Sequence, residues 1–422
     1  MINTKHLFES KIKHPYVELI VLILITFLMA YGRYIWGGDY YIYTDAGSDC
    51  ADQYYPTYIY LIRKIQEGGL SLWNHSCGLG MDTLTNQTWI MDPFAMLIIM
   101  VGVTLGTQTV AVMLVITQFL KVLISALLAY RFLNSFGIRD EIKVITAYLY
   151  GYNSFLIIWG QHYWFGAISI YILILLIVLE AWLADIYNPS KYMLEYSMAI
   201  AFSFCYSLYL TYMSLIMVTI YACLRFVYMC NKSGKELLYD VLKNGIRICL
   251  ATLLGILLSS VMILPFIDNN LIISSRVNTE SMGQRIRDYL IHPYELIYYY
   301  QLFLRMISSN VMGISSSGAS YYGIPMLTIS VVGLIYEVEG VLHVKNQLQN
   351  TKAKIVFGIG VFLIVFLLFV PLGSCIFNAF QYPFGRYTFI LMPVITIFIA
   401  LGLQRICVEK KAHYILLGIV LL

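Results

Sequence analysis

The residues most able to do chemistry gather near the start of the chain. Between residues 37 and 92 lie Asp39, Asp45, Asp49, Asp52, Glu67, Asp82 and Asp92, in a protein with only 23 acidic side chains in 422 residues. The densest stretch reads TDAGSDCADQYYPTYIYLIRKIQEGG. Asp45, Asp49 and Asp52 are spaced by four and three residues, so a helix here would bring their carboxylates onto one face. Three roles are open to them. A carboxylate facing a cleft can act as a general base toward an attacking hydroxyl. Clustered carboxylates can also hold a hard divalent cation. The structural alternative is capping, in which Asp49 or Ser48 binds free N–H groups of a first helical turn while Asp45 and Asp52 stay solvated.

Basic and aromatic residues supply a complementary set. The segment WGQHYWFG sets His162 between Trp159 and Trp164. Aromatic faces beside an imidazole suit the stacking and hydrogen bonding of a sugar; the plainer reading is an interfacial aromatic belt with a passenger histidine. Residues 268–321 contain Arg276, Arg285, Arg287 and Arg305, with His292 before Pro293. Arginine binds phosphate through paired, charge-assisted hydrogen bonds, although pairing with Glu280 and Asp288 would also use these charges. Arg276, in SSR, is the best positioned of the four. Arg386 stands among Tyr382, Phe384, Tyr387 and Phe389 in QYPFGRYTFI, where an arginine is costly unless paired or functional. Arg276 and Arg386 are the expected phosphate contacts. The small-residue stretch MGISSSGASYYGIP suits a lid or an ordinary linker.

Membrane helices must position these groups. The chain is 60% hydrophobic and 12% charged, with a mean hydropathy of +0.75. A soluble protein carries about 25% charged residues, so a fully water-facing surface is excluded. A net charge of +4 is too small and scattered to imply nucleic-acid binding. Apolar runs of spanning length occur at 16–36, 108–133, 144–158, 166–184, 195–211, 213–230, 247–267, 322–336, 355–371 and 388–406. The run 94–105 is too short to span and suits a half-helix. An N-terminus inside puts about two thirds of the 27 basic residues on the cytoplasmic side, in keeping with the positive-inside rule. Two long outer segments remain, 37–92 and 268–321. The first should contain an interfacial amphipathic helix from Asp52 to Gln66. The mid-span charges are almost confined to Lys121 and Glu180; Lys121 can pair across helices or snorkel.

The words around the acids carry a likeness. Asp49, Gln53, Tyr54, Gly78, Gly80, Asp82, Pro93 and Phe94 occur in an order that resembles the YfhO family of bacterial membrane proteins, with Asp92 standing where serine is more usual. The resemblance implies an all-α GT-C-like bundle of about 10–11 transmembrane helices in the bacterial cell membrane. It also implies transfer of a sugar from a polyprenyl-phosphate carrier to an envelope polymer or lipid acceptor, such as teichoic acid. Such proteins run on for several hundred residues, and the sequence from 413 to Leu422 is too short to span, so the chain is expected to stop before a C-terminal extracytoplasmic region.

The leading expectation is therefore an inverting glycosyltransferase working on the outer face among membrane lipids. Asp49, then Asp45 and Asp52, are its candidate bases; Gln53, Tyr54, His162, Arg276, His292 and Arg386 are its candidate substrate contacts. A divalent metal at the outer acids stays open. The alternatives are a transporter or flippase for a lipid-linked or polar precursor, which would place polar groups near mid-membrane, and an assembly partner without chemistry. There is no Walker A, GxSxG, CxxC or GxGxxG before a helix, which argues against a nucleotide-sugar donor.

Overall fold

A computed structural model describes residues 13–42, 49–71, 73–75, 80–82, 91–159, 162–185, 189–268, 282–308, 325, 327–348 and 350–410. In chain order its helices are α1 (Pro15–Trp36), α2 (Tyr55–Gln66), α3 (Pro93–Leu105), α4 (Val110–Leu133), α5 (Asp140–Gly151) and α6 (Ser154–Ile158). Then follow α7 (Ile168–Ala184), α8 (Pro189–Tyr206), α9 (Leu208–Met229), α10 (Gly234–Leu258), α11 (Ser260–Ile267) and α12 (Met282–Ile291). The last are α13 (Leu296–Ile307), α14 (Val331–Gln347), α15 (Thr351–Phe369), α16 (Pro371–Phe377) and α17 (Thr388–Cys407). A short antiparallel hairpin, β1 (Trp73–Asn74) with β2 (Met81–Asp82), pairs Trp73 with Asp82.

Local chemistry sets the boundaries. Pro15, Pro93 and Pro371 open α1, α3 and α16, where a missing N–H is no loss. Asn153, Ser207 and Asn350 accept N–H groups from Leu156 (2.9 Å), Leu210 (3.3 Å) and Ala353 (2.6 Å), starting α6, α9 and α15. These caps revise the expected spans. The run 144–158 is two helices broken at Asn153, and the break between α8 and α9 falls at Ser207 rather than near residue 212. The expected span 322–336 is instead α14, which begins at Val331 and continues to Gln347. The run 247–267 belongs to a longer α10, stopped at Ser259 before α11. Among the described residues, five helices are long and apolar enough to cross a membrane; α1, α3 and α7 contribute shorter apolar segments. The run 413–422 lies outside the described residues.

Similar compositions find opposite environments. Both α7 and α15 are apolar on every side. In α7, Ile168, Ile172, Leu173, Leu175, Leu176 and Leu179 are fully buried, which makes it the centre of the bundle. In α15, Ile355, Ile359, Phe362, Val365 and Phe369 are exposed, the surface expected of a helix against lipid. Glu180, near the end of α7, is held by Arg225 of α9 through bonds of 2.8 and 3.0 Å and by the Tyr221 hydroxyl at 2.6 Å. A carboxylate in a bundle core needs such partners.

The closest helix pair is α14 against α17. A Cβ on Gly402 would collide with the Tyr336 carbonyl, and one on Gly340 with the Phe398 carbonyl, so backbone meets backbone there. Small residues permit such contact between membrane helices, and an Arg405–Glu339 ion pair at 3.0 Å lies beside it. Gly402→Val should therefore wedge the pair apart and lower the thermal unfolding midpoint in detergent by several degrees, as a core overpacking of about 1–3 kcal/mol would. Gly358→Ala in α15, where an added Cβ meets nothing within 4 Å, should leave the midpoint unchanged or slightly raised.

Candidate functional site

The first wall of the site is the start of the interfacial helix. The expected amphipathic helix is present but begins earlier: Cys50–Tyr54 wind as a π turn that runs directly into α2. Asp49 precedes it in helical conformation, and its carboxylate caps none of the free N–H groups. Capping by Asp49 is thereby replaced by a different arrangement, in which Gln53 Nε2 donates to Asp49 Oδ1 at 2.7 Å. Tyr54 turns the other way, into the bundle, and is buried. Its ring packs on Trp164 at 3.9 Å between centroids.

The second wall is the turn between α6 and α7. His162 is 2% exposed there. Its Nδ1 lies 2.6 Å from the Tyr54 hydroxyl and 3.3 Å from Asp49 Oδ2. Trp159 and Phe165 flank the imidazole at 5.2 Å each. The turn is tied down from several sides. Lys121 Nζ of α4 donates to the Tyr163 carbonyl, the Tyr206 hydroxyl to the Trp164 carbonyl, and the Tyr163 hydroxyl to the Tyr41 carbonyl at 2.6 Å. Lys121 is itself buried and attracts Asp92, whose carboxylate accepts the Phe94 N–H at 3.1 Å and caps α3.

The third wall carries the cation. Arg386 sits in a 3-10 turn, Gly385–Tyr387, at the head of α17. Its guanidinium lies over the rings of Phe384 (5.0 Å), Phe165 (5.6 Å), Tyr209 (5.7 Å) and Trp159 (5.8 Å). Ring faces attract a cation more strongly where water is excluded. Tyr209, the second residue of α9, also donates its hydroxyl to Asn378 Oδ1 at 2.5 Å.

The three walls influence one another electrostatically. Burial raises the Asp49 carboxyl above its ordinary range; Arg386 acts against that rise and the neighbouring Asp52 adds to it. Burial, helped by the positive field of Arg386, lowers His162 to about 3. The imidazole is thus neutral near pH 7 and offers one N–H and one lone pair. It can accept the Tyr54 hydroxyl proton at Nδ1, or donate from Nδ1 toward Asp49, according to tautomer.

The expected site residues divide into three groups. Asp49, Gln53, Tyr54, His162 and Arg386 come together; Asp52 stays exposed beside them. His292 does not join them: it is exposed at the end of α12, where its Nδ1 lies 3.1 Å from the carbonyl oxygen of Asp288 in its own turn. Asp45, Arg276 and the small-residue stretch 312–325, apart from Pro325, lie outside the described residues. Of the other arginines between residues 268 and 321, Arg285 donates to Gln381 at 3.1 Å, five residues before Arg386, and Arg305 is fully buried in α13. Among the described residues no three His, Cys, Asp or Glu side chains gather as metal ligands. Sequence reasoning missed Tyr209 and Asn378; the signal available was a tyrosine two residues after the capping Ser207.

No curated protein matches the chain. Among solved structures, the Archaeoglobus fulgidus oligosaccharyltransferase in its apo form matches with a TM-score of 0.50 and 11% identity, over 97% of this chain and 52% of that one. The archaeal oligosaccharyltransferase AglB from the same organism, in complex with an inhibitory peptide and a dolichol-phosphate, matches with a TM-score of 0.50 and 10% identity, over 96% and 53%. The chain thus spans about half the length of these enzymes, and at such identity the likeness is one of fold: an all-α membrane bundle of the GT-C type. The family described as bacterial membrane protein YfhO matches residues 18–422, nearly the full length, and the chain belongs to that family.

Proposed function

We propose that the protein is a membrane glycosyltransferase that moves a sugar from a polyprenyl-phosphate carrier to a cell-envelope acceptor, such as teichoic acid, on the outer face of the bacterial membrane. The observation that carries this reading is the convergence of Asp49, His162 and Arg386 from three distant parts of the chain at one end of the bundle. The similar oligosaccharyltransferase with a bound dolichol-phosphate and peptide supports a lipid-linked donor and a separate acceptor. With the N-terminus cytoplasmic, this end faces outward, where the carrier's phosphate would lie at the interface.

In this mechanism the acceptor hydroxyl attacks the anomeric carbon of the donor as Asp49 takes its proton. The bond from that carbon to the phosphate oxygen breaks, and the carrier phosphate leaves with the electron pair. Arg386 faces the charge that develops on the leaving oxygen, an electrostatic contribution that is largest in a dry site. Gln53 holds one Asp49 oxygen and leaves the other toward His162, fixing the carboxylate plane. Tyr54 and the neutral His162 relay orientation from the bundle to Asp49 and carry no net charge that would compete with the phosphate for Arg386.

Three outcomes test the reading. In a reconstituted transfer assay, Asp49→Asn should lower turnover by about a hundredfold or more, the usual range for loss of a general base; full turnover would remove Asp49 from that role. Polyprenyl-phosphate binding should weaken about tenfold or more in Arg386→Ala and less in Arg386→Lys, which keeps charge but not the fork; unchanged binding would remove the phosphate contact. The last outcome concerns pH. An unfolded histidine titrates near 6.5, while His162 in the fold does so at about 3. Its stabilising contribution is therefore complete above pH 6.5 and declines as the pH falls, by about 2 kcal/mol at pH 5. The thermal midpoint should drop between pH 7 and pH 5, and His162→Gln should shrink that drop.

A further inference from the structure

A second polar cavity lies at the opposite end of the bundle. From Tyr209 at the site, α9 runs on to Met229; its 22 residues carry the chain about 33 Å. There the ends of α7 and α9 and the first half of α10 enclose about 730 Å³. The floor is apolar, formed by Leu183, Phe226 and Met229.

One wall is a ridge of α10. Lys235, Tyr239, Lys243 and Arg247 recur every four residues and all line the cavity. Residues four apart stack along one side of a helix, so the ridge is a ladder of cations with one ring between them. Lys232 adds a further cation but is engaged by Asp240 at 2.6 Å, and Glu236 also lines the cavity, so four cations outnumber two carboxylates there. Among the described residues no carboxylate lies within 4 Å of Lys235, Lys243 or Arg247; Arg247 donates only to Asn244, at 3.2 Å.

The neighbouring ridge of the same helix has the opposite character. Leu238, Leu242, Ile246, Leu250 and Leu254 also recur every four residues, and each is 42–59% exposed. This apolar ridge begins beside the cations and runs toward the middle of the bundle. A ligand matching both must be an anion joined to a hydrocarbon chain.

We propose that this cavity seats the headgroup phosphate of an anionic phospholipid in the leaflet opposite the candidate site, with an acyl chain lying along Leu238–Leu254. Basic cavities between membrane helices attract such headgroups, each Lys or Arg adding to the attraction. The length of α9, about 33 Å by helix rise, lies between this cavity and Tyr209 at the candidate site, so the proposal does not rest on the glycosyltransfer reading.

The test uses the purified full chain in detergent, with thermal unfolding followed as phosphatidylglycerol, phosphatidylcholine or inorganic phosphate is titrated. Phosphatidylglycerol should raise the midpoint by several degrees more than phosphatidylcholine, and inorganic phosphate should give no comparable rise. Lys243→Glu with Arg247→Glu should abolish the preference, weakening the apparent affinity for phosphatidylglycerol about tenfold or more while phosphatidylcholine acts as before. Should that variant fail to fold, Lys243→Gln with Arg247→Gln provides the same comparison. Equal effects of the two lipids on the unaltered protein would overturn the proposal, as would a preference that survives both substitutions. A full rise with inorganic phosphate alone would reassign the cavity to a free anion.

Discussion

The difficulty of burying charge in a bundle surrounded by hydrocarbon governs the end of this molecule that carries the candidate site. Asp92 and Lys121 are 1% and 3% exposed, and neither would be tolerated alone, because an unpaired ion in such surroundings costs several kcal/mol. Each therefore carries out a structural task. Asp92 caps α3 and Lys121 holds the Tyr163 carbonyl, and the two opposite charges attract each other without forming an ion pair within 4 Å. A serine at residue 92 could cap a helix but could not balance Lys121, so the carboxylate serves two needs at once.

Tyrosine meets a second need created by the same medium. Each broken helix leaves carbonyl oxygens without intrahelical partners, and the lipid offers no water to satisfy them. Tyrosine can bury its ring and extend a hydroxyl across the gap. Tyr298 and Tyr299 of α13 reach the carbonyls of Leu368 and Phe369 at the end of α15 at 3.0 and 3.1 Å, and Tyr387 reaches that of Leu367 at 3.3 Å. Tyr163 and Tyr206 do the same around the site. Many of the 36 tyrosines in the chain thus act as donors at interruptions as well as an aromatic belt.

The fold class and most helices were legible in the sequence because each leaves a local signature. Hydropathy marks α4, α9, α15 and α17, and charge scarcity makes Asp49 and Arg386 conspicuous. The interruptions were harder to read. Asn153 and Ser207 cap helices inside apolar runs, where hydropathy averages over a single polar residue. The meeting of Asp49 with His162 and Arg386 was not legible as a contact, since no local pattern encodes which of several outer loops share an end of the bundle. Asp49 as a capping residue was a reasonable expectation from its position; the π turn after it redirects the carboxylate toward His162 and Gln53. His292 is a candidate substrate contact in the sequence, yet its ring lies against its own helical turn.

The glycine contact between α14 and α17 has a mechanical consequence. Two helices touching backbone to backbone share their bending stiffness, and α17 carries Arg386 at its head. Asp49 stands on the opposite kind of support, an interfacial helix hung from the bundle by side-chain contacts. Arg386 and Asp49 therefore stand on different supports, the arginine on a post braced by backbone contact and the carboxylate on a helix seated through side chains such as Ile62 against Gly102. Accommodation of molecules of different bulk then falls to the Asp49 side, while the Arg386 side keeps its position.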